Sequence, residues 1–164
     1  MLASAFFACK KEYPFYNGEG KKPVYITKAE LSDIRNLPPQ PTQRTGTIFL
    51  LDTLFFMLEQ KTGIHIINLS DSSQPVKLTF IKIPAVNDFT VNGNFLYADN
   101  GPNLVTIDIS NLYELKVLNV QEQVFQPILF PPLYRGFFEC ADTSKGILFD
   151  WVDTNLKDAR CNVL

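Results

Sequence analysis

Histidine occurs once in these 164 residues, tryptophan once, methionine twice and cysteine three times. That inventory leaves little for a metal centre or an activated nucleophile, which draw on several His, Cys or carboxylate partners. An excess of one charge is missing as well. Fifteen Lys and Arg stand against 17 Asp and Glu, a net charge of −2, so the basic footprint of a nucleic-acid binder is absent. No apolar run approaches the roughly 20 residues that a membrane-crossing helix needs. What the chain does have is apolar and aromatic: 46% hydrophobic residues, with 14 Phe and 6 Tyr. That composition excludes disorder, and the length is that of one ordinary domain.

From Gly46 onward the sequence repeats itself. Phe55, Ile64, Ile67, Asn68, Leu69 and Ser70 recur forty positions later as Phe95, Leu104, Ile107, Asp108, Ile109 and Ser110. A fainter third copy places Phe137-Phe138-Glu139-Cys140 over Phe55-Phe56-Met57-Leu58, and Gly146-Ile147-Leu148-Phe149-Asp150 over the stretch from Gly63. Alternation and turn residues predict strands at 47–52, 54–58, 64–68 and 76–83 in the first copy. The second copy predicts 86–91, 95–98, 104–109 and 115–120. Asn92-Gly93 supplies a two-residue hairpin turn. Four antiparallel strands per forty residues is the pattern of a β-propeller blade, with a β-sandwich as the rival. The expected fold is all-β: an incomplete propeller of two to three four-stranded blades over residues 46–164. The Phe surplus suits the faces between such sheets.

Residues 10–45 are expected to hold a polar tether over 10–23, one short helix near 28–36 and a Pro-rich connector over 36–45. The helix follows from Thr27 and Glu30, which fit a capping box, and Pro38-Pro39 stop it. Ahead of them, the apolar run Leu2–Ala8 ends at Cys9 and is followed by Lys10, Lys11 and Glu12. Phe6-Phe7-Ala8-Cys9 resembles a bacterial lipoprotein box, which makes residues 1–9 a signal remnant and Cys9 a lipid anchor. The alternative is an apolar N-terminal strand with a buried thiol. If Cys9 is acylated, Cys140 and Cys161 are an even pair in an export compartment, either bridged or two separate buried thiols.

Leu104-Val105-Thr106-Ile107-Asp108, and more loosely Gly63-Ile64-His65-Ile66-Ile67-Asn68, resemble the repeat of the LVIVD-repeat family. The trailing Asn68-Leu69-Ser70 and Asp108-Ile109-Ser110-Asn111 look like the turn that ends that repeat. Taken with the box at Cys9, the chain is similar to the N-terminal part of bacterial LVIVD-repeat lipoproteins. The resemblance implies a propeller at the cell envelope, facing periplasm or surface, and carries no catalytic residue set. An open run of at most three blades suggests a piece of a longer protein or closure by self-association.

The remaining candidates are few. His65, between Ile64 and Ile66, is expected exposed or packed between blades, in a structural role. Asn68, Asp108 and Asp150 are expected to end the same strand in each copy and to shape the following turn, the rival being a ring of oxygen ligands for a cation. Lys10, Lys11, Lys21 and Lys22 are expected as solvated tether charges, or as neighbours of anionic headgroups. Phe125–Phe138 is expected to pack as the connection between units two and three, its rival being a projecting loop that meets a partner. No phosphate loop, dinucleotide motif, nucleophile elbow or zinc-helix motif is present, so no cofactor and no metal are expected. The functional expectation is a non-catalytic, lipid-anchored module that binds a protein or ligand. The alternative is part of a propeller enzyme whose active residues lie elsewhere.

Overall fold

The computed structural model describes residues 15–163. In chain order its elements begin with β1 (Tyr16–Ile26), the one-turn helix α1 (Lys28–Leu31) and β2 (Arg35–Leu37). The first repeat follows as β3 (Thr45–Leu51), β4 (Leu54–Glu59), β5 (Gly63–Asn68) and β6 (Val76–Lys82). The second is β7 (Phe89–Asn92), β8 (Phe95–Asn100), β9 (Asn103–Asp108) and β10 (Lys116–Gln121). The chain ends in β11 (Gly136–Phe138), β12 (Ile147–Ala159) and β13 (Cys161–Val163). Three sheets result, ordered β2-β6-β5-β4-β3, β10-β9-β8-β7 and β12-β1-β11-β13, and none closes on itself.

The first two sheets are antiparallel meanders with matching registers. Phe55 opposes Ile67 as Leu96 opposes Ile107, and Glu59 opposes Gly63 as Asn100 opposes Asn103. The step is 41 on the second strand (55 to 96) and forty on the third (67 to 107). It differs because the turn Gln60-Lys61-Thr62 is one residue longer than Gly101-Pro102. Strand alternation then sorts the faces. Phe56, Leu58, Ile64 and Ile66 share one face of the first sheet, and their register counterparts are Tyr97, Asp99, Leu104 and Thr106. The core pairs that first-sheet face with the opposite face of the second sheet, made of Leu96, Ala98, Val105 and Ile107. The two repeats therefore stack front to back, with every one of those eight apolar side chains buried.

The other face of the first sheet is covered by the chain itself. Residues 38–44 run back across it, held by Lys77 Nζ on the Gln40 carbonyl (3.0 Å) and on Thr42 Oγ1 (2.9 Å). This is the Pro-rich segment expected as a connector; Pro residues suit a strap that donates few backbone hydrogen bonds. The capping box forms: Thr27 Oγ1 accepts from Glu30 N, and Glu30 Oε2 accepts from Thr27 N at 2.9 Å. Yet α1 is a single turn rather than the expected nine residues, because Arg35–Leu37 pair with β6 instead. One short helix gains less than a strand added to an existing sheet.

The third sheet corrects two expectations. Residues 16–23, expected as tether, lie in β1 (Tyr16–Ile26), which pairs along most of its length with β12. The third repeat copy is also not a plain blade: β11 and β12 begin near the expected places, but β1 lies between them, parallel to β11 and antiparallel to β12. Phe138 and Leu156 are buried there, with Trp151 edge-on to Phe138 at 5.4 Å. Phe125–Phe138 departs from the packed connection expected of it. Phe125, Ile128, Leu129, Phe130 and Leu133 are exposed, and only its end enters β11.

Candidate functional site

A cleft of about 650 Å³ opens where α1, the strap, the β4–β5 turn and β12 meet. Its charged walls are Glu30, Asp33, Arg44, Glu59, Lys61, Lys82 and Asp150. Most of these charges also join elements. Lys82 Nζ meets Asp33 Oδ2 at 2.6 Å, linking β6 to the turn after α1. Arg44 reaches Asp150 Oδ2 at 3.3 Å, tying the strap to the third sheet. Lys82 beside Asp33 holds that carboxyl below its ordinary value, and the Thr27 backbone and hydroxyl do the same for Glu30. Burial pushes the Lys61 ammonium down, and nearby Asp150 and Asp99 offset only part of that.

Behind the cleft wall lies a buried polar clasp. Glu59, the last residue of β4, accepts backbone N–H bonds from Gln43 (2.9 Å) and Arg44 of the strap, and its Oε2 lies 3.2 Å from His65 Nε2. Burial pushes the Glu59 carboxyl up. The two strap N–H groups and the His65 ring outweigh it and hold the carboxyl below its usual value. Burial pushes His65 down, and the Glu59 bond recovers only part. The ring is therefore neutral at pH 7, with the proton on Nε2 facing the carboxylate and Nδ1 buried without a partner. His65 is 1% exposed against Phe80, so of the two expected settings it takes neither: it is packed beneath the strap.

The second repeat has the same clasp in complementary chemistry. Asn100 occupies the register position of Glu59 and donates from Nδ2 to the carbonyls of Pro84 (2.6 Å) and Leu31 (3.1 Å). Residue 43 is Gln and offers an N–H, so a carboxylate grips it. Residue 84 is Pro and has none, so an amide donor grips its carbonyl instead. The adjoining bonds match too, Gln60 N to Arg44 O and Gly101 N to Ala85 O. Neither Glu59 nor Asn100 stands out when the repeat is aligned at forty. A step of 41 on the second strand places one on the other, and that was the available signal.

The expected turn residues divide. Asn68 Oδ1 accepts from Ser70 N at 2.7 Å, and Asp108 Oδ1 from Ser110 N at 2.9 Å, so both shape the turn after their strand. Asp150 instead lies inside β12, which runs on to Ala159, and serves as the Arg44 partner. These three residues are not brought together, and among the described residues no group of three His, Cys, Asp or Glu is placed to hold a metal. Cys140 and Cys161 form a disulfide that fastens β13 to the turn after β11. Cys9, Lys10 and Lys11 lie outside the described residues, while Lys21 pairs with Asp153 at 2.7 Å. No helix among the described residues is long and apolar enough to cross a membrane.

No family model, no curated protein and no solved structure matches the chain. None of them identifies an LVIVD repeat; the residues quoted above for that resemblance fall on β5 and β9.

The clasp makes a pH prediction. His65 has a lower value folded than unfolded, so between the two the unfolded chain takes up the proton first. Its contribution is complete above about pH 6.5 and falls as pH drops through that value. Glu59 and the other lowered carboxyls act the same way further down, present above their usual values and lost in acid. Urea midpoints measured from pH 7.5 to 5.5 are expected to decline. The decline should be largely absent in His65→Phe, since this is the only histidine.

Proposed function

We propose that the chain is a non-catalytic binding module of the cell envelope, built from propeller-type blades and anchored to a membrane through Cys9. The observation that carries this reading is the front-to-back stacking of two forty-residue sheets. Repeats whose equivalent faces point the same way, as these do, can extend into a blade stack, whereas a sandwich of two equivalent repeats brings the same face of each together. The buried clasp recurs with the repeat, which supports a repeated unit over a coincidence of short strands.

The disulfide supports an oxidising compartment, as export to the envelope provides. The ion pairs that cross the cleft favour binding over catalysis, since Arg44 and Lys82 are engaged in holding elements together. The outward face of the second sheet offers a surface for a protein or ligand. Tyr97, Asp99, Leu104 and Thr106 are half-buried there, and they are more polar than the Phe56, Leu58, Ile64 and Ile66 to which they correspond.

Mass spectrometry of the native product tests the reading. The expected product starts at an acylated Cys9 and carries an intact Cys140–Cys161 bridge. A product that retains residues 1–8, or one with both thiols free, would overturn the envelope assignment.

A further inference from the structure

We infer that one end of the third sheet, which carries Phe15 and the loop 126–135, is a lipid-docking surface that inserts apolar side chains into a membrane. The inference deepens the membrane reading above, but it does not need the acyl chain.

The topology assembles this end. β1 and β11 run parallel, with Lys21 opposite Phe138, so the residue that enters β1 and the loop that enters β11 lie at the same end of the sheet. Tyr16 stacks on Phe137 at 4.3 Å, consistent with that placement. β12 runs the other way, with Ala159 opposite Tyr16, which brings Arg160 to the same end. The Arg160 guanidinium sits 4.6 Å over the Phe15 ring, and Phe15 is itself exposed.

The loop carries the apolar load. Ile128, Leu129 and Phe130 are about half exposed, and Leu133 is fully so at 109%. Leu133 has a φ of +56°, a region that bulky side chains avoid. A strained residue that holds a leucine out into solvent is a functional sign rather than a packing one. Pro127, Pro131 and Pro132 fix the backbone around it, so little ordering entropy remains to be lost on docking. An interior protein core has no use for such a projection.

The charge pattern selects a lipid surface. No acidic residue lies between Glu122 and Glu139, and the uncharged stretch 123–134 ends on Arg135. Arg135 and Arg160 are both exposed, one closing the loop and one over Phe15. The acids beside the loop are Glu19 and Asp153, which share a cleft with Tyr134, and Asp153 is paired with Lys21; Asp158 is the acid nearest in sequence to Arg160. Apolar and aromatic tips rimmed by basic groups match the acyl boundary and its phosphate headgroups. The apolar sequence Leu2–Ala8 precedes Phe15, so the anchor proposed at Cys9 joins the fold at this same end.

The test uses the full chain with Cys9→Ser, which cannot be acylated, and vesicles of phosphatidylethanolamine with phosphatidylglycerol. Co-sedimentation is expected, and Phe130→Asp with Leu133→Asp should lower the partition coefficient at least about tenfold, the worth of burying such side chains. Arg135→Glu should weaken binding and flatten its salt dependence. In Phe130→Trp, added vesicles should shift the emission to the blue. Each altered side chain is exposed, and an unchanged far-ultraviolet circular dichroism spectrum confirms that the fold persists. A Cys9→Ser chain that ignores vesicles would sink the inference, and so would binding indifferent to the paired Asp substitutions. Vesicle-free dimerisation abolished by those substitutions would assign the surface to a second copy instead. Failure here leaves acylation at Cys9 standing, and failure of acylation leaves this test standing.

Discussion

Glu59→Ala should destabilise the protein by about 3 kcal/mol, because one buried donor and two part-buried ones lose their acceptor at once, and a buried unpaired group costs about 1–3 kcal/mol. The donors are the Gln43 and Arg44 amides of the strap and the Nε2–H of His65. The strap covers the first-sheet face that carries His65 and Phe80, so its release would also admit water to those rings. Glu59→Gln should fall between wild type and alanine. A glutamine keeps one acceptor oxygen but turns its NH₂ toward a backbone N–H where the carboxylate had a second oxygen. The measurement is the urea midpoint at pH 7.5, with amide exchange at Gln43 and Arg44 as the local readout. A full-size loss of stability without faster exchange at those two amides would show that the carboxylate acts elsewhere.

Opening the Cys140–Cys161 bridge should cost about 3 kcal/mol on the chain-entropy account of a loop of this size, its ends being 21 residues apart. The effect should concentrate in the third sheet, where β13 and β11 are three residues each and depend on one another. The single tryptophan, Trp151, lies in β12 against Phe138 and reports on that sheet alone. In Cys140→Ser with Cys161→Ser, tryptophan emission is expected to change at lower urea than the circular dichroism of the two repeat sheets. Coincident transitions at the wild-type midpoint would show that the bridge adds nothing to folding.

These two residue sets differ in how far the sequence disclosed them. The cysteine pair is visible by count, and its bridging follows only if the chain is exported. Glu59 gave no warning, because it closes an apolar run, Leu-Phe-Phe-Met-Leu, as an ordinary strand-ending polar residue would. Its partners come from the strap 16 and 15 positions away, a pairing that no local pattern encodes. His65 was legible as structural, since it lacks a second histidine, but its burial was not. Alternation put it on the face opposite Ile64 and Ile66, and only the strap made that face an interior one.

Local pattern determined the eight strands of the two repeats, to within three residues at each boundary, and the capping box at Thr27. These elements carry their own signal, because period-two burial and turn residues act over a few positions. Tertiary structure alone decided β1. Tyr16–Ile26 contains two Gly, Pro23 and Lys21-Lys22, a poor strand by propensity, and it is extended because the thirteen-residue β12 supplies a hydrogen-bonding partner along its length. Tertiary structure likewise decided which faces meet. Both faces of the first sheet read as apolar, and whether a neighbour or the strap covers each depends on contacts across forty residues. Such contacts are fixed by where the chain returns, which composition and periodicity do not record.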